Sequence, residues 1–197
     1  MLDSSARSGR TTDEVTLSRA ELLSLIKEHT QFRSGIGYDV HRFAEGPRLV
    51  LGGVEIPYER GLLGHSDADV ITHAAMDACL GAAGCADIGT YFPDTDAAYK
   101  GADSIELAKT VRSILEQAGF ELESLDLMVV AEAPKLKPHI PAMKEKLAAA
   151  FGIDPTRLGL KATTNEQMGW VGRGEGIACL ASALVRKVPS TLVTNQK

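Results

Sequence analysis

The clearest chemical signal in the sequence is an Asp and a His that alternate within a short, strand-like stretch. Residues 35–43 read Gly-Ile-Gly-Tyr-Asp-Val-His-Arg-Phe, and side chains two residues apart on a strand lie on the same face. Asp39 and His41 therefore project together, as two of the three protein ligands of a catalytic zinc site would. An Asp-x-His triplet also occurs by chance, so this interpretation depends on finding a third ligand.

His73 is the candidate for the third ligand. It lies on a helix predicted to end near Ala83, with Asp69 and Asp77 four residues before and after it on the same helical face. The two carboxylates predict an acidic environment around the imidazole, although a polar helix surface explains this segment alone equally well. Combined with the Asp-x-His pair, two imidazoles and one carboxylate with an open fourth position are typical of catalytic zinc.

Three further stretches could bind phosphate. Segment 161–166, Lys-Ala-Thr-Thr-Asn-Glu, ends a predicted strand with hydroxyls, a Lys and a carboxylate that suits a hard cation. Segment 169–176 places four glycines around Arg173, a cation for a phosphate or an interface. The turn 64–67 offers backbone N–H groups at a helix start, for which a plain helix cap is the simpler explanation. Strand surface and ordinary turns are the alternatives for the other two stretches.

Other nucleotide and nucleophile motifs are missing from the sequence. It contains neither GxxxxGK[ST] nor a GxGxxG after a predicted strand, so triphosphate or dinucleotide binding of those kinds has no support. No nucleophile-elbow motif surrounds Ser66. A site that positions phosphates and neutralises their charge is the better interpretation.

Strands and helices alternate along the chain and must position these residues. The interleaving predicts an α/β or α+β domain with a helix layer on one sheet face. Predicted strands are 36–43, 48–51, 54–56, 125–131, 159–164 and 176–187, with a loop at 61–64. Predicted helices begin after Ser18, at 66–69, at Asp103 and after Pro141, and they end near His29, Ala83, Gly119 and Phe151.

Composition limits the class of protein. A chain of 197 residues with 44% hydrophobic content suits one domain, and no apolar run is long enough to span a membrane. The net charge of -5 and the lack of a basic stripe argue against nucleic-acid binding. Cys79, Cys85 and Cys179 lie among small apolar residues and predict buried thiols in a reducing compartment. The N-terminus lacks the features of a secretory signal, so we expect a cytoplasmic protein.

Over residues 35–188 the chain resembles the 2-C-methyl-D-erythritol 2,4-cyclodiphosphate synthase family. The resemblance implies an α+β fold with a mixed four- to five-stranded sheet, helices on one face, and a homotrimer with active sites between subunits. It divides the chain into an extension (1–33, partly disordered with one short helix), a synthase domain (34–188) and a tail (189–197). The motifs are Gly-Tyr-Asp39-Val-His41, His65-Ser-Asp-Ala-Asp69 followed by His73, Asp87-Ile-Gly89, Phe92-Pro-Asp94, Ala133-Pro-Lys135, Lys161-Ala-Thr-Thr-Asn-Glu166 and Gly172-Arg-Gly-Glu-Gly176.

The activity that this resemblance implies is the conversion of 4-(cytidine 5'-diphospho)-2-C-methyl-D-erythritol 2-phosphate to 2-C-methyl-D-erythritol 2,4-cyclodiphosphate and CMP. Zinc would be bound by Asp39, His41 and His73, and magnesium or manganese by Glu166. His65 and Thr164 would stabilise the transition state. The remaining substrate contacts would be Ser66 beside His65; Thr163 and Arg173 at phosphates; Asp87, Ile88, Gly89, Phe92, Pro93, Asp94, Thr95 and Asp96 at the methylerythritol or ribose; Ala131, Glu132, Ala133, Pro134, Lys135, Leu136, Lys137 and Trp170 at cytosine; and Val40 and Asn165.

The sequence departs from the family pattern in three places. Trp170 stands where the family usually has Phe, Leu180 stands where some members have an acid near the trimer axis, and the N-terminal helix lies outside the family core. Some members are fused to a cytidylyltransferase domain, for which about thirty residues are too few. Two alternatives remain at this point, namely a zinc-dependent phosphoesterase acting on a nucleotide-linked substrate and a non-catalytic trimer that only binds nucleotides.

Overall fold

A mixed five-stranded sheet forms the centre of the computed structural model, which describes residues 17–29 and 31–188. The helices are α1 (Arg19–His29), α2 (Val70–Ala83), α3 (Ile88–Tyr91), α4 (Ser104–Gln117), α5 (Ile140–Phe151) and α6 (Gly169–Gly172). The strands are β1 (Phe32–Ala44), β2 (Leu49–Leu51), β3 (Val54–Ile56), β4 (Gly61–Leu62), β5 (Phe120–Val130), β6 (Leu158–Thr163) and β7 (Gly176–Lys187). Among the described residues, no helix combines the length and hydrophobicity that a membrane span needs.

The strand order in the sheet is β4-β1-β7-β5-β6, and β2 pairs with β3 in a separate hairpin. Only β5 and β6 pair in parallel, and every other pair is antiparallel. Because β1 and β5 both run antiparallel to β7, the carboxyl ends of β1, β5 and β6 lie at one edge of the sheet. In register, His41 pairs with Ile177, and Val130 pairs with both Ala178 and Thr163. The predicted metal and phosphate residues therefore share that edge.

Two glycines let α2 lie directly on β1. A Cβ added to Gly35 would lie 2.2 Å from the Ala78 carbonyl oxygen, and one added to Gly37 would lie 2.0 Å from the Ala74 carbonyl oxygen. Since no side chain fits in that space, backbone meets backbone along this seam. Asp39 follows on the same face of β1, so the helix brings its own polar residues within reach of the end of the strand.

The helices α2, α4 and α5 pack on one face of the sheet, and the opposite face of β1 and β7 is open. The alternate residues of β1 on that open face are Ile36, Tyr38 and Val40, which are 86%, 55% and 42% exposed. Leu180, paired with Tyr38, is 48% exposed. A contiguous apolar surface of this kind is typical of a face that another chain covers.

Most predicted elements are confirmed, and the differences have local causes. The loop expected at 61–64 is wrong in part, because Gly61–Leu62 pairs with Phe43 and Ala44 as β4. Strand β5 begins five residues earlier than expected, and an irregularity between Leu122 and Ser124 interrupts the simple alternation of its first half. The helices α3 and α6 have four residues each, which are too few to show the periodic pattern from which a helix is predicted.

The N-terminal helix has the predicted capping box. Ser18 N–H donates to Glu21 Oε2 at 2.8 Å, and Glu21 N–H donates to Ser18 Oγ at 3.2 Å, at the start of α1. Strand β1 begins at Phe32, within the segment expected to be an extension. The polar stretch expected before this helix and the expected tail at 189–197 lie outside the described residues.

The cysteines are unpaired, as expected. Cys79 and Cys179 are buried, Cys85 is half-buried, and all three are free thiols. Burial raises the pKa of the Cys79 and Cys179 thiols far above the usual range. These two side chains are therefore inert packing residues.

Candidate active site

Asp39, His41 and His73 bring three donor atoms together at the end of β1 and the first turns of α2. Asp39 Oδ2 lies 3.0 Å from His41 Nε2 and 3.0 Å from His73 Nδ1. The two ring nitrogens lie 3.3 Å apart. His73 is buried, whereas the other two residues are half-buried. The sequence prediction that these three residues converge is confirmed, and among the described residues this is the group suited to a metal ion.

Hydrogen bonds on the far side of each ring determine which nitrogen faces the centre. His41 Nδ1 lies 2.8 Å from the Leu63 carbonyl oxygen, which can only accept, so Nδ1 holds the proton and Nε2 presents a lone pair. His73 Nε2 lies 2.9 Å from Ser104 Oγ and 3.1 Å from Ser66 Oγ. Its Nδ1 is the nitrogen that faces Asp39.

The triad attracts positive charge. Burial alone would raise the pKa of Asp39, but hydrogen bonds from His41 and His73 outweigh burial and hold that pKa well below its usual range. Burial alone would lower the pKa of His41, but the hydrogen bond and the negative charge of Asp39 outweigh burial and raise it. Those hydrogen bonds come from protonated ring nitrogens, and a metal ion bound by the deprotonated imidazoles would take the place of their protons.

The triad fits zinc by donor type and by spacing. One carboxylate oxygen and two imidazole nitrogens form a usual donor set for a catalytic zinc site. Zinc bonds of about 2.0–2.1 Å in a tetrahedron place ligand atoms about 3.3 Å apart, and the three separations here are 3.0, 3.0 and 3.3 Å. The side chains therefore need little movement to bind the ion.

The acidic environment predicted around His73 is wrong in its details. Asp69 caps α2 through the N–H groups of Ile71 and Thr72, and it also accepts the N–H groups of Gly52 and Gly53 from the β2–β3 turn. Burial raises the pKa of Asp69, while these donors favour its carboxylate form. Its role is to hold the hairpin against the helix.

Asp77 makes its hydrogen bond to another segment, although its charge still interacts with His73. Its Oδ1 accepts the Ile88 N–H at 2.9 Å, which fixes the start of α3 against α2. Burial raises the pKa of Asp77 above its usual range. The groups that contact Nε2 of His73 are the hydroxyls of Ser66 and Ser104. The carboxylates four residues before and after His73 accept backbone N–H groups instead.

The turn before α2 uses several of its backbone N–H groups within the protein. Asp67 N–H donates to the Ala102 carbonyl, Ala68 N–H to Ser66 Oγ, and Asp69 N–H to Asp67 Oδ1. The helix start is therefore capped from within the turn. Anion binding by the other N–H groups of the turn 64–67 stays a prediction.

A cleft of about 400 Å³ opens beside the triad. His65 and Ser66 line it, and His65 Nε2 lies 3.2 Å from the Asp96 carbonyl oxygen. Four members of the predicted methylerythritol or ribose group also line this cleft, namely Ile88, Gly89, Phe92 and Asp94. Three lining residues, Met76, Tyr99 and Leu107, were not predicted. Met76 lies one helical turn beyond His73, and that spacing could have indicated it.

Other members of the first predicted set lie outside the lining of this cleft. The Val40 side chain lies on the open sheet face, opposite the side chains of Asp39 and His41. Only the Val40 backbone is therefore left for a contact near the triad. Asp87 caps α3 by accepting hydrogen bonds from the Thr90 N–H and hydroxyl. Both bonds lower the pKa of Asp87, and the bond from the hydroxyl has the larger effect. Asp96 caps a short turn through the Ala98 N–H. Pro93 and Thr95 belong to the same loop.

A second cleft, of about 320 Å³, lies at the ends of β5 and β6. Its lining includes most of the predicted cytosine and phosphate residues, namely Ala131, Glu132, Pro134, Lys135, Leu136, Lys137, Thr163 and Thr164. The Ala133–Pro134 peptide bond is cis. Leu136 is buried, so its side chain contributes to the core beneath the loop.

Two carboxylates organise the second cleft in different ways. Glu132 Oε1 accepts the N–H groups of Asn165 and Gln167 at 2.9 and 3.1 Å, which joins the loops after β5 and β6. Glu166 has a φ of 50° and accepts the Thr164 hydroxyl at 2.9 Å. Lys161, predicted near phosphate, is instead paired with Asp126 on the sheet.

The glycine-rich segment 169–176 lies against both the loop after β6 and the end of β1. Trp170 is half-buried in α6, and Arg173 Nε donates to Glu175 Oε1 at 2.6 Å. A Cβ at Gly176 would lie 2.3 Å from the His41 carbonyl oxygen, and one at Gly172 would lie 2.2 Å from the Gln167 backbone. The predicted close approach of backbone is therefore confirmed, and what it approaches is the protein itself.

The two clefts stay apart within one chain. The triad lies at the end of β1 and the second cleft at the ends of β5 and β6, at the same edge but two to three strand positions apart. Strands in a sheet are about 4.8 Å apart, so the separation is about 10–14 Å. One chain therefore contains both predicted halves of the site without joining them.

Comparison with known proteins agrees with this geometry. The model of the YgbB family matches residues 32–186. The chain is 58% identical over 151 residues to the 2-C-methyl-D-erythritol 2,4-cyclodiphosphate synthase of Symbiobacterium thermophilum, covering 77% of this chain and 96% of that relative.

Solved structures are similar as well. The chain matches the bifunctional IspDF from Campylobacter jejuni with a TM-score of 0.78 and 43% identity, covering 82% of this chain and 44% of that one. It thus spans less than half of that bifunctional chain. It matches IspF of Plasmodium falciparum, solved as a CDP complex, with a TM-score of 0.70 and 30% identity, over 82% of this chain and 99% of that one.

Proposed function

Since the chain belongs to the YgbB family, whose relative named above is a 2-C-methyl-D-erythritol 2,4-cyclodiphosphate synthase, we infer that it catalyses this cyclisation. It converts 4-(cytidine 5'-diphospho)-2-C-methyl-D-erythritol 2-phosphate into the cyclic diphosphate and CMP. The 2-phosphate attacks the β-phosphorus, and the bond to the bridging oxygen breaks, so that this oxygen leaves with CMP. The enzyme is a phosphorus–oxygen lyase of isoprenoid biosynthesis.

The convergence of Asp39, His41 and His73 is the observation that best supports this chemistry. Each residue presents an electron-pair donor to one point beside a cleft of about 400 Å³. The cofactor proposed there is zinc, which when bound would act as a Lewis acid toward a substrate phosphate oxygen. The buried position of His73 limits the access of water to that point.

Protein side chains around the triad would position the phosphates. The Asp96 carbonyl accepts from His65 Nε2–H, so Nδ1 is the ring nitrogen left for the substrate, and a proton on Nδ1 would let it donate to a phosphate oxygen. The Ser66 hydroxyl lies between the triad and the cleft. We assign His65 to the stabilisation of charge on the transferring phosphate, with Ser66 holding the substrate beside it.

The second cleft would bind the cytidine end. Its loop backbone at 131–137 can read a base by hydrogen bonding, and the CDP complex of the Plasmodium falciparum neighbour is consistent with a pocket for this group. Thr163, Thr164 and Arg173 would contact phosphate oxygens. The carboxylate of Glu166 would bind magnesium or manganese, a hard cation suited to oxygen ligands.

We expect Glu166→Gln to weaken the second metal without affecting zinc. The change removes a negative charge from an oxygen ligand while keeping its size, so the magnesium concentration for half-maximal activity should rise about tenfold. Titration of activity against magnesium, with zinc content measured on the same sample, tests this. Glu116→Gln, the same change on an exposed part of α4, is the control. Equal magnesium dependence in the Glu166 variant and the wild type would refute the assignment.

The distance between the two clefts supports a homotrimer with each active site shared by two subunits. Halves about 10–14 Å apart in one chain could be completed by a neighbouring copy. The open sheet face, with Ile36, Tyr38 and Leu180 exposed, offers an apolar surface for that contact. Apolar side chains as exposed as these lose their contact with water when a second chain covers them, which favours association.

Ile36→Asp should therefore produce folded, inactive monomers. Ile36 is 86% exposed in one chain, so the change should alter the stability of the monomer by less than about 0.5 kcal/mol. In a trimer it would bury a charge, which disfavours assembly. Light scattering after gel filtration should give three times the 21.0 kDa chain mass for the wild type and for Ile36→Val. Ile36→Asp should give the mass of one chain. An Ile36→Asp variant that is trimeric and active would contradict the proposed use of this face in the trimer.

The reaction itself is tested by incubating the purified protein with the cytidylylated substrate and magnesium. CMP and the cyclic diphosphate should appear in equal amounts. Release of inorganic phosphate with no cyclic product would indicate the phosphoesterase alternative, and tight CDP binding without turnover would indicate a binding protein. Metal analysis of the same preparation should find about one zinc per chain.

We also propose the domain limits and the compartment. Residues 34–188 would form the synthase domain, with Phe32 and Arg33 extending β1 into the segment 1–33 that we propose as an extension, and 189–197 would be a tail. Three free cysteines suit a reducing, cytoplasmic location.

A further inference from the structure

We infer that Ser104, held by Asp67, is a positioning residue that fixes the tautomer of His73 and so keeps its Nδ1 as a metal-binding lone pair. This inference rests on the proposed function, because it concerns the zinc ligand of that site. Neither Ser104 nor Asp67 belongs to the ligand set. They act on the metal through His73.

Ser104 sits between a carboxylate and the imidazole. Ser104 Oγ donates a hydrogen bond to Asp67 Oδ1 and lies 2.9 Å from His73 Nε2. The Ser104 N–H donates to Asp67 Oδ2 at 3.0 Å, so the serine is held to Asp67 by both backbone and side chain. Ser104 is fully buried at the first residue of α4. It therefore has no water with which to exchange these partners.

The direction of each hydrogen bond follows from donor and acceptor chemistry. A serine hydroxyl has one proton, and Asp67 Oδ1 accepts it. With that proton committed, Ser104 Oγ can only accept from His73, which requires a proton on Nε2. A neutral imidazole has one N–H, so Nδ1 is left with its lone pair toward Asp39. The chain Asp67–Ser104–His73 thus determines which nitrogen faces the metal.

Ser66 contacts the same nitrogen but cannot determine the tautomer. Its Oγ lies 3.1 Å from His73 Nε2 and already accepts the Ala68 N–H at 3.3 Å. Within residues 17–29 and 31–188, no carboxylate accepts the Ser66 hydroxyl proton as Asp67 accepts that of Ser104. That proton could turn toward His73 as readily as away from it, so Ser66 is compatible with either tautomer.

Loss of this control would disturb the metal site directly. If Nε2 lost its acceptor, the proton could move to Nδ1, where it would face Asp39 Oδ2 at 3.0 Å. That proton would satisfy the carboxylate and occupy the position of the metal. Groups that orient metal-binding histidines in this way usually change metal affinity about 10- to 100-fold when they are replaced.

The experiment compares Ser104→Ala with Thr72→Val in the full chain. Thr72 is equally buried and precedes His73 on α2, but its hydroxyl donates to Asp69 Oδ2. Both changes remove one buried hydroxyl. We expect zinc affinity, measured by chelator competition, to fall 10- to 100-fold in Ser104→Ala and to stay unchanged in Thr72→Val. Equal affinities in Ser104→Ala and wild type would overturn the proposal.

A spectroscopic measurement on metal-free protein gives a second, independent readout. The chain has five histidines, so ¹⁵N-histidine labelling resolves the ring nitrogens of His73. The wild type should show the Nε2–H form, and Ser104→Ala should show an increased Nδ1–H population. A wild type already in the Nδ1–H form would overturn the proposal even if Ser104→Ala failed to fold. If the wild type bound no zinc, the zinc assignment would fail, yet the ¹⁵N spectra would still decide the tautomer.

Discussion

Replacing His73 with Ala should abolish turnover and remove bound zinc while leaving the protein folded. The change deletes one of three donor atoms and leaves Asp39 and His41, which are too few to hold the ion tightly. A Lewis acid contributes several kcal/mol of transition-state stabilisation, and about 1.4 kcal/mol is tenfold in rate, so kcat/KM should fall about a thousandfold or more. His41→Ala should behave in the same way.

The measurement is the CMP-release assay together with zinc analysis and circular dichroism on each variant. His139→Ala makes the same substitution outside the triad, at the start of α5, and should retain its zinc. Wild-type activity in either triad variant would remove the zinc assignment. Full zinc content with no activity would mean that the imidazole acts on the substrate directly.

Gly37→Ala should be the most destabilising single-methyl change in the sheet. The added Cβ would lie 2.0 Å from the Ala74 carbonyl oxygen and 2.7 Å from the Ala78 backbone nitrogen. Backbone atoms cannot rotate aside as a flexible side chain can, so α2 must move away from β1. We expect a loss of about 3 kcal/mol or more in the free energy of unfolding. Since His73 moves with α2, zinc affinity should fall as well.

Gly81→Ala is the matched control, because it adds the same methyl group across the same seam. There the new Cβ would lie 3.9 Å from the Ile36 carbonyl oxygen, an ordinary contact. Gly81 lies inside α2, where Ala is favoured over Gly, so this variant should gain up to about 1 kcal/mol. Urea denaturation measures both. Equal stabilities for the two variants would show that the seam can widen freely.

The convergence of the triad could be predicted from sequence because its signals are local. The alternation of Asp39 and His41 sets their shared face, and the helix that follows carries His73 in its first turns. The glycines two and four residues before Asp39 then have a structural explanation. They occupy the same face of the strand and bring that helix close enough for His73 to reach the pair.

The surroundings of the triad could not be predicted in the same way. Helical spacing placed Asp69 and Asp77 beside His73, but each carboxylate binds backbone N–H groups from a distant segment. Ser104 contacts His73 across 31 residues of sequence, and its only local signal is a position at a helix start. Such partners are chosen by tertiary packing, which periodicity does not encode.

The predicted substrate residues illustrate a third limit. The family resemblance implied distinct groups of contacts and sites shared between subunits, but motif order did not show that the sheet separates the triad from the loops around Glu132 and Thr164. Sequence spacing reports neither strand order nor the position of a neighbouring copy. The separation into two clefts therefore could not be inferred from the residues until the strand order was known.

The position of β1 between β4 and β7 determines when the site can form during synthesis. All three residues of the triad precede residue 74, but β7 (176–187) is the last strand, and it pairs with β1 from Phe32–Arg186 to Arg42–Gly176. A ribosome therefore completes the triad when more than half of the chain is still unmade. Because β1 lacks its main neighbour until β7 is made, we expect the triad to reach its final geometry only after synthesis of the chain.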